Sequence, residues 1–264
     1  MDVIPLTYTD LCLASLLIVI LAALSFRFRL GLERQIVVAA IRTFVQLIMV
    51  GYILRFVFMQ ANVVWVASIS IIMLLLGGKE IRDRQRTKLK GWWSFGVGTS
   101  AMFLSSFLLM IVTLNFIINI EPWYTAQYSL PILGILLGNT MTGIALSLNY
   151  LVDVTLQQKA IIEQRLFLGQ TRSHVMSQIC KDAIRIGMIP RINAMATAGI
   201  VSLPGMMTGQ ILAGNAPVEA VKYQILVMFL VSAGTGFGVL LAIWYTSKRF
   251  FDTRHRLRID RILR

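Results

Sequence analysis

Long apolar stretches alternate with shorter polar connections along most of this sequence. A helix needs about 20 mostly apolar residues to cross the hydrocarbon core of a bilayer. Seven stretches approach or exceed that length, although the third is short and the fourth is long enough to tilt. The pattern predicts an all-α integral membrane protein with one membrane domain, covering residues 1–264, of about seven spans. The predicted spans are residues 11–26, 36–58, 63–78, 93–120, 130–151, 192–213 and 221–245.

The composition agrees with the membrane assignment. Of the 264 residues, 57% are hydrophobic and only 14% are charged, and the mean hydropathy is +0.74. Soluble domains average about 25% charged residues. Cys12 lies in an apolar stretch and Cys180 in a polar connection. We therefore expect neither a disulfide nor a cysteine-based metal site.

Basic residues are concentrated in alternate connections. The tail at 247–264 carries seven Lys and Arg, whereas the connection at 119–129 contains Glu121 and no basic residue. The positive-inside rule then predicts that the N-terminus is outside and the C-terminus is cytoplasmic. The net charge of +13 follows from this topology, so we do not expect a nucleic-acid partner. The connection after the third span contains Lys79, Arg82, Arg84, Arg86, Lys88 and Lys90.

The sequence lacks the residues that several kinds of chemistry require. No carboxylate falls in the middle of a span, because Asp10 and Asp153 lie near span ends. This weakens, but leaves open, an ATPase-independent secondary transporter. No nucleophile and base are paired, so we do not expect an enzyme. The segment Gly77-Gly78-Lys79-Glu80 lacks the glycine and the Ser/Thr of a phosphate loop. We therefore expect no cofactor in this chain, and any Mg-ATP must bind to a partner.

The longest soluble segment is the cytoplasmic connection at 154–190. Its first half reads as a helix that ends at Gly169, which would be the C′ residue. Thr171 is the expected cap of a second helix, which carries an apolar stripe of Val175, Ile179, Ala183 and Ile186. This helix–glycine–helix element is either a docking surface for a partner or a hairpin lying on lipid.

The sixth predicted span contains a backbone breaker, Pro204-Gly205. Proline cannot continue a helix's hydrogen bonds, and membranes supply no water to replace them. Ser202, Thr208 and Gln210 are the local groups able to satisfy the freed backbone. The segment either lines a transport pathway or forms a simple packing kink. Met206 and Met207 are interpreted as packing residues, because thioethers are ligands for Cu(I) rather than Fe²⁺.

Other spans contribute further polar side chains. Asn139 and Thr142 are the oxygen candidates for a pathway in the fifth span. Gly134, Gly138 and Thr142 recur every four residues there and form a small-residue face that favours close helix packing. Arg42 and Gln46 are one turn apart on the second span. They serve either as a structural anchor or as a contact to the cargo.

Two resemblances bear on these alternatives. Glu163 precedes Gly169 by six residues, which resembles the coupling loop of ABC importer permeases. Ile179 falls at the hydrophobic position of that pattern, but Asp182 stands where a proline is expected. Nearly the whole chain resembles the FetB family, the membrane subunit of a bacterial ABC transporter linked to iron export, which also includes plant permeases associated with aluminium tolerance. Three segments carry this resemblance: RTFVQLIMVGYILRFVF, LPILGILLGNTMTG and AGIVSLPGMMTGQILAGNAPVEAVKYQILV.

The family resemblance implies a specific assembly. It implies a permease subunit in the bacterial inner membrane that forms a homodimer and binds two copies of a separate ATPase. Iron export is the implied activity, while another metal, or an organic or sugar-nucleotide cargo, stays open. No set of metal ligands is assigned. The residues implied to contact the ATPase are Glu163, Leu168, Gly169, Thr171 and Arg172.

Overall fold

The computed structural model describes residues 7–60, 62–85, 87–252, 254 and 256–263. The predicted Arg86 of the basic connection lies outside these residues, as do positions 253, 255 and 264 of the tail. The described part forms nine α-helices and one pair of two-residue strands, which confirms the all-α class. The helices are α1 (Tyr8–Arg27), α2 (Glu33–Gln60), α3 (Val63–Arg84), α4 (Trp93–Val112), α5 (Ala126–Gln157), α6 (Lys159–Phe167), α7 (Arg172–Thr197), α8 (Gly205–Leu212) and α9 (Pro217–Arg249), and the strands are β1 (Lys88–Leu89) and β2 (Ile262–Leu263).

Six helices of the described part are long and apolar enough to cross a membrane. They are α1, α2, α3, α5, α9, and α4 together with the π-helical turn Thr113–Ile117 that continues it. Several of them extend beyond the predicted apolar stretches, because helical hydrogen bonding continues into the flanking polar residues. The protein is therefore a multi-pass membrane protein.

The sixth predicted span, residues 192–213, is not one continuous helix. The first part belongs to the end of α7, residues 198–204 are not helical, and α8 forms the rest. Ala198 is extended with ψ 132°, and Gly199 adopts a left-handed φ of +83°. The helix therefore ends at Thr197, seven residues before Pro204, and Pro204 lies immediately before α8 rather than inside a helix.

The chain divides into two compact units. The first unit comprises Met1–Asn62 with Leu212–Asn215, and its helices are α1 and α2. Thr7 caps α1 in a reciprocal capping box, in which the Asp10 carboxylate accepts a hydrogen bond of 2.8 Å from the Thr7 backbone N–H. The buried Ser25 hydroxyl joins the two helices, because it accepts a hydrogen bond from the Leu32 N–H and donates one to Glu33.

The second unit comprises Val63–Ile211 and Ala216–Arg264, and α5 lies at its centre. This helix packs against α3, α4, α7 and α9. Leu133, Leu136, Ile144, Leu148 and Leu151 of α5 are at most 1% exposed. Burial of these side chains holds the bundle together within the unit.

Five helix ends meet at one end of the second unit, which we call the basic end. The ends of α3, α5 and α9 lie there with the beginnings of α4 and α7. Asn149 of α5 donates a hydrogen bond of 3.1 Å to the Arg84 carbonyl that closes α3, and Thr87 donates one of 3.3 Å to Asp153. The predicted basic connections thus share one end of the unit, as the predicted topology requires.

The tail after α9 folds back at the basic end. Arg261 donates hydrogen bonds of 2.8 Å to the Arg249 carbonyl and 3.2 Å to the Phe251 carbonyl. Strand β2 then pairs antiparallel with β1. Arg258 donates two hydrogen bonds to Asp260, and these lower the pKa of that carboxyl to about 2. The described tail is a folded element and not a loose basic arm.

Candidate functional site: coupling tip and pathway

The turn between α6 and α7 has the geometry that the sequence predicts. The Gly169 N–H donates to the Leu166 carbonyl at 3.0 Å, and the Gln170 N–H donates to the Arg165 carbonyl at 3.1 Å. These two bonds make a Schellman cap, with Gly169 in the left-handed conformation at φ +83°. Thr171 then caps α7 by accepting a hydrogen bond from the His174 N–H. The tip is therefore an ordered turn between two helices.

Large apolar side chains are exposed at this turn. Phe167 is 89% exposed and Leu168 is 75% exposed, whereas Ile162 on the inner face of α6 is fully buried. We call Phe167, Leu168 and Gly169 the coupling tip. The short helix is thus fixed by its inner face and presents two apolar side chains outward.

The charged residues predicted at this turn lie outside the exposed apolar group. Glu163 lies 3.9 Å from Lys159 one turn earlier on α6, so its charge is partly balanced within the helix. Arg172 is the first residue of α7 and lines a groove between α7 and α9. Neither side chain belongs to the apolar coupling tip.

The predicted apolar stripe on α7 packs into the protein itself. Val175, Ile179 and Ala183 are buried against the core that α5 and α9 build. Ile186, predicted as the fourth member, is only partly buried, and its neighbour Gly187 is buried in its place. The stripe is therefore neither a docking surface nor a lipid-facing surface, and α7 is an integral helix of the bundle.

The helices α5 and α7 approach most closely at Gly143 and Gly187. A β-carbon on Gly143 would lie 3.2 Å from the Gly187 carbonyl oxygen, and one on Gly187 would lie 2.8 Å from the Gly143 carbonyl oxygen. Any side chain would force these backbones apart. The predicted small-residue face at Gly134 and Gly138 does not make this contact, since Gly134 faces Met73 and Gly138 faces open space.

A guanidinium group reaches the middle of α5. The Arg191 Nη1 atom of α7 lies 2.6 Å from the Asn139 Oδ1 atom, and the Asn139 amide donates to the Ile135 carbonyl at 2.7 Å. Thr142 instead hydrogen bonds the Gly138 carbonyl of its own helix. Sequence reasoning missed Arg191, which falls between the predicted connection and the sixth predicted span.

The contact between Arg191 and Asn139 also gives the depth of the non-helical residues 198–204, which we call the break. Asn139 is 13 residues after the start of α5, which corresponds to about 20 Å of helix. From Arg191, α7 continues for six residues, about 9 Å, before it ends at Thr197. The break therefore begins about 10 Å short of the level where α5 begins. The break therefore begins within the length of α5 and not beyond its end.

Local hydrogen bonds pair several of the backbone N–H and carbonyl groups at the break. The Thr197 carbonyl accepts a bond of 3.0 Å from the Val201 N–H, and the Gly199 N–H donates to the Ser202 carbonyl at 2.9 Å. Thr208 donates its hydroxyl to the Pro204 carbonyl at 3.2 Å, as its position in the sequence suggests. The exposed side chain of Val201 is apolar, which suits a loop in a membrane better than one in water.

The other residues predicted to line a pathway are not joined to one another by side-chain hydrogen bonds in the described part of the chain. Within the described residues, the buried Gln210 Oε1 atom has no hydrogen-bond partner, and Met206 packs against the core. No hydrogen bond among these residues links Asn139 or Thr142 to the 202–210 segment. Gly205 begins α8, and Met207 is partly buried on that helix.

The intramembrane pair Arg42 and Gln46 belongs to the first unit. Both residues lie on α2, one helical turn apart as predicted, and both are exposed on that unit. Among the described residues, no group of three or more His, Cys, Asp or Glu could hold a metal ion. The polar groups of the bundle are thus mainly amides, hydroxyls and the Arg191 guanidinium.

Comparisons with known proteins agree with this architecture. The chain is 31% identical to the "Probable iron export permease protein FetB" of Escherichia coli over 97% of each chain. It is 31% identical to the "UPF0014 membrane protein YjkA" of Bacillus subtilis, over 95% of this chain and 98% of that protein. It is 32% identical to the "Protein ALUMINUM SENSITIVE 3" of Arabidopsis thaliana, over 92% of this chain and 88% of that protein. No solved structure matches the chain.

The match to a family profile covers nearly the whole membrane domain. Residues 8–251 match the family described as "Uncharacterised protein family (UPF0014)". The relatives confirm the resemblance to FetB and to a plant protein that the sequence indicated. The chain is therefore a member of the UPF0014 family of membrane proteins.

Proposed function

We propose that this chain is the permease subunit of an ABC transporter that exports iron across the bacterial inner membrane. A separate ATPase hydrolyses the ATP, and two copies of it bind a homodimer of this chain. The N-terminus is outside and the C-terminus is cytoplasmic. In this arrangement α7 and α8 together form a seventh, broken crossing, and the basic end faces the cytoplasm.

The observation that carries this proposal is the coupling tip. Exposed apolar side chains on an ordered turn cost solvation free energy unless a partner covers them, and such patches mark interaction sites. Phe167 and Leu168 project from the basic end, where an ATPase on the cytoplasmic side would bind. The tip thus has the apolar anchors that protein interfaces use at their centres.

Helix α7 connects this tip to the break. The helix contains 26 residues and so extends about 39 Å from Arg172 to Thr197. Its close packing at Gly143 and Gly187 makes it a stiff element. Movement of the tip by the ATPase would therefore be transmitted to residues 198–204, where the chain is not helical. The change at the break would alter access to the pathway.

Iron is the proposed cargo because a relative of similar length is named as a probable iron exporter. Arg191 favours a second candidate, which is a cargo that carries negative charge, such as a chelated metal or a sugar nucleotide. A guanidinium group beside the pathway attracts anions and repels bare cations. If the cargo is bare iron, only the metal should cross the membrane. If the cargo is anionic, a chelator should cross together with the metal, or a sugar nucleotide should cross instead of it.

Transport by the purified complex in proteoliposomes tests the proposal. The chain is copurified with its ATPase, reconstituted, and supplied with ATP and a panel of Fe²⁺, Fe³⁺, other metals, chelated iron and sugar nucleotides. ATP-dependent movement of iron in either form supports the proposal. Transport that proceeds without ATPase, driven by a proton or sodium gradient, would establish a secondary transporter instead.

A further inference from the structure

A groove separates α7 and α9 at the basic end of the second unit. Its volume is about 760 Å³, which lies in the range of pockets that hold small molecules. Its wall combines a charged part and an apolar part, and each part is made by both helices. No role in the proposed coupling requires this groove.

The charged part contains three cations. Arg172 and Lys181 come from α7, and Lys248 comes from the end of α9. Among the residues that the structure describes, no Asp or Glu lines the groove. The nearest acid on α7, Asp182, instead accepts hydrogen bonds from Gln178 and Arg185 outside the groove. The groove therefore has a local excess of positive charge that an anion would balance.

The apolar part continues from these cations towards the middle of the bundle. Ile184 of α7 and Leu240 and Leu241 of α9 line it. Trp244 stands between the two parts, with the Lys248 ammonium 3.4 Å from the centre of its ring. Tryptophan is enriched at membrane interfaces because its ring is apolar and its N–H is polar. The charged and apolar parts thus follow one another in the order of a phospholipid headgroup and its acyl chain.

We propose that this groove binds one molecule of anionic phospholipid. The phosphate lies among Arg172, Lys181 and Lys248, and an acyl chain follows Ile184, Leu240 and Leu241. Basic pockets between membrane helices bind anionic headgroups in this way. A water-soluble phosphate would use the cations but leave the apolar wall uncovered, so the combined lining favours a lipid. The proposal depends on the membrane location of the chain and not on the identity of its cargo.

Native mass spectrometry of the purified chain in neutral detergent provides the test. Phosphatidylglycerol and phosphatidylcholine with identical acyl chains are titrated against the wild type and against Lys181→Gln/Lys248→Gln. Each basic residue near an anionic headgroup contributes about fivefold in affinity. We expect the double variant to bind phosphatidylglycerol about 25-fold more weakly, while phosphatidylcholine binding changes little.

Arg165→Gln/Arg185→Gln is the matched control, because it removes two charges near the same end but outside the groove. It should bind phosphatidylglycerol like the wild type. Ile184→Trp tests the acyl part, since a larger side chain should weaken the binding of both lipids. A folded Lys181→Gln/Lys248→Gln variant that retains wild-type phosphatidylglycerol affinity would overturn the proposal. Equal losses in the control would do the same.

Discussion

Arg191 of α7 donates a hydrogen bond of 2.6 Å to the Asn139 side chain of α5, midway along that helix. The bond joins the helix that starts at the coupling tip to the centre of the bundle. It also lies only six residues from the end of α7, where the break begins. The pair therefore anchors α7 to α5 close to the start of the break.

A double-mutant cycle on this pair should reveal coupling. We expect Arg191→Gln and Asn139→Ala to show an interaction free energy between about 0.6 and about 1.7 kcal/mol, which are the average and the maximum measured for hydrogen bonds between membrane helices. The measurement is the stability of the purified chain in detergent. Thr142→Ala is the control partner, because the Thr142 hydroxyl bonds only within α5. Additive effects for Arg191 and Asn139 would mean that the bond contributes nothing.

The proposed orientation can be read from two single cysteines. Lys90→Cys and Glu121→Cys are made without Cys12 and Cys180, since both positions are exposed and lie at opposite ends of α4. An impermeant thiol reagent should label residue 121 in intact cells but residue 90 only after lysis. The reverse pattern would invert the topology and remove the ATPase-facing role of the basic end.

The Gly169 cap should be sensitive to side chains. At φ +83° a valine or alanine is disfavoured by about 1 kcal/mol or more, whereas asparagine tolerates this region better. No atom lies within 4 Å of a β-carbon placed there, so only the backbone is strained. We expect Gly169→Val to reduce copurification of the ATPase and Gly169→Asn to preserve it. Equal recovery with both variants would show that the turn geometry does not matter for binding.

The break should be equally sensitive at Gly199. This residue also has a φ of +83° and open space around it, so Gly199→Val strains the loop without a clash. We expect transport to fall severalfold while membrane insertion is kept. Gly209→Ala is the control, because Gly209 is helical, has open space and tolerates a β-carbon. Normal transport by Gly199→Val would mean that the loop serves packing alone.

Local features of this protein could be predicted from the sequence. The ends of α6 and α7 are fixed by Gly169 and Thr171, whose roles depend on their own backbone and nearest neighbours. The apolar stretches likewise predicted six candidate spans, because membrane insertion depends on composition over a window of residues, whereas the stretch at 192–213 is not one continuous helix. The break was anticipated through Pro204, although helical geometry is already lost at Ala198 and Gly199.

Tertiary contacts could not be predicted in the same way. The close approach at Gly143 and Gly187 joins residues 44 positions apart, and α5 also contains Gly134 and Gly138, which make no such contact. Arg191 was not recognised because a composition window treats a lone basic residue beside a span as part of a connection. Only the packing of α7 against α5 shows that its side chain reaches Asn139.

The central claim is that the coupling tip joins this permease to a separate ATPase. It is tested by copurifying the ATPase with Phe167→Ala/Leu168→Ala and measuring ATP-driven transport by the reconstituted complex. Phe116→Ala/Ile117→Ala is the control, because Phe116 is 81% exposed at the opposite end of the bundle. The account predicts that the tip variant is inserted normally but loses most of its ATPase and its ATP-driven transport, while the control keeps both. Full ATPase recovery and full transport by the tip variant would contradict the claim.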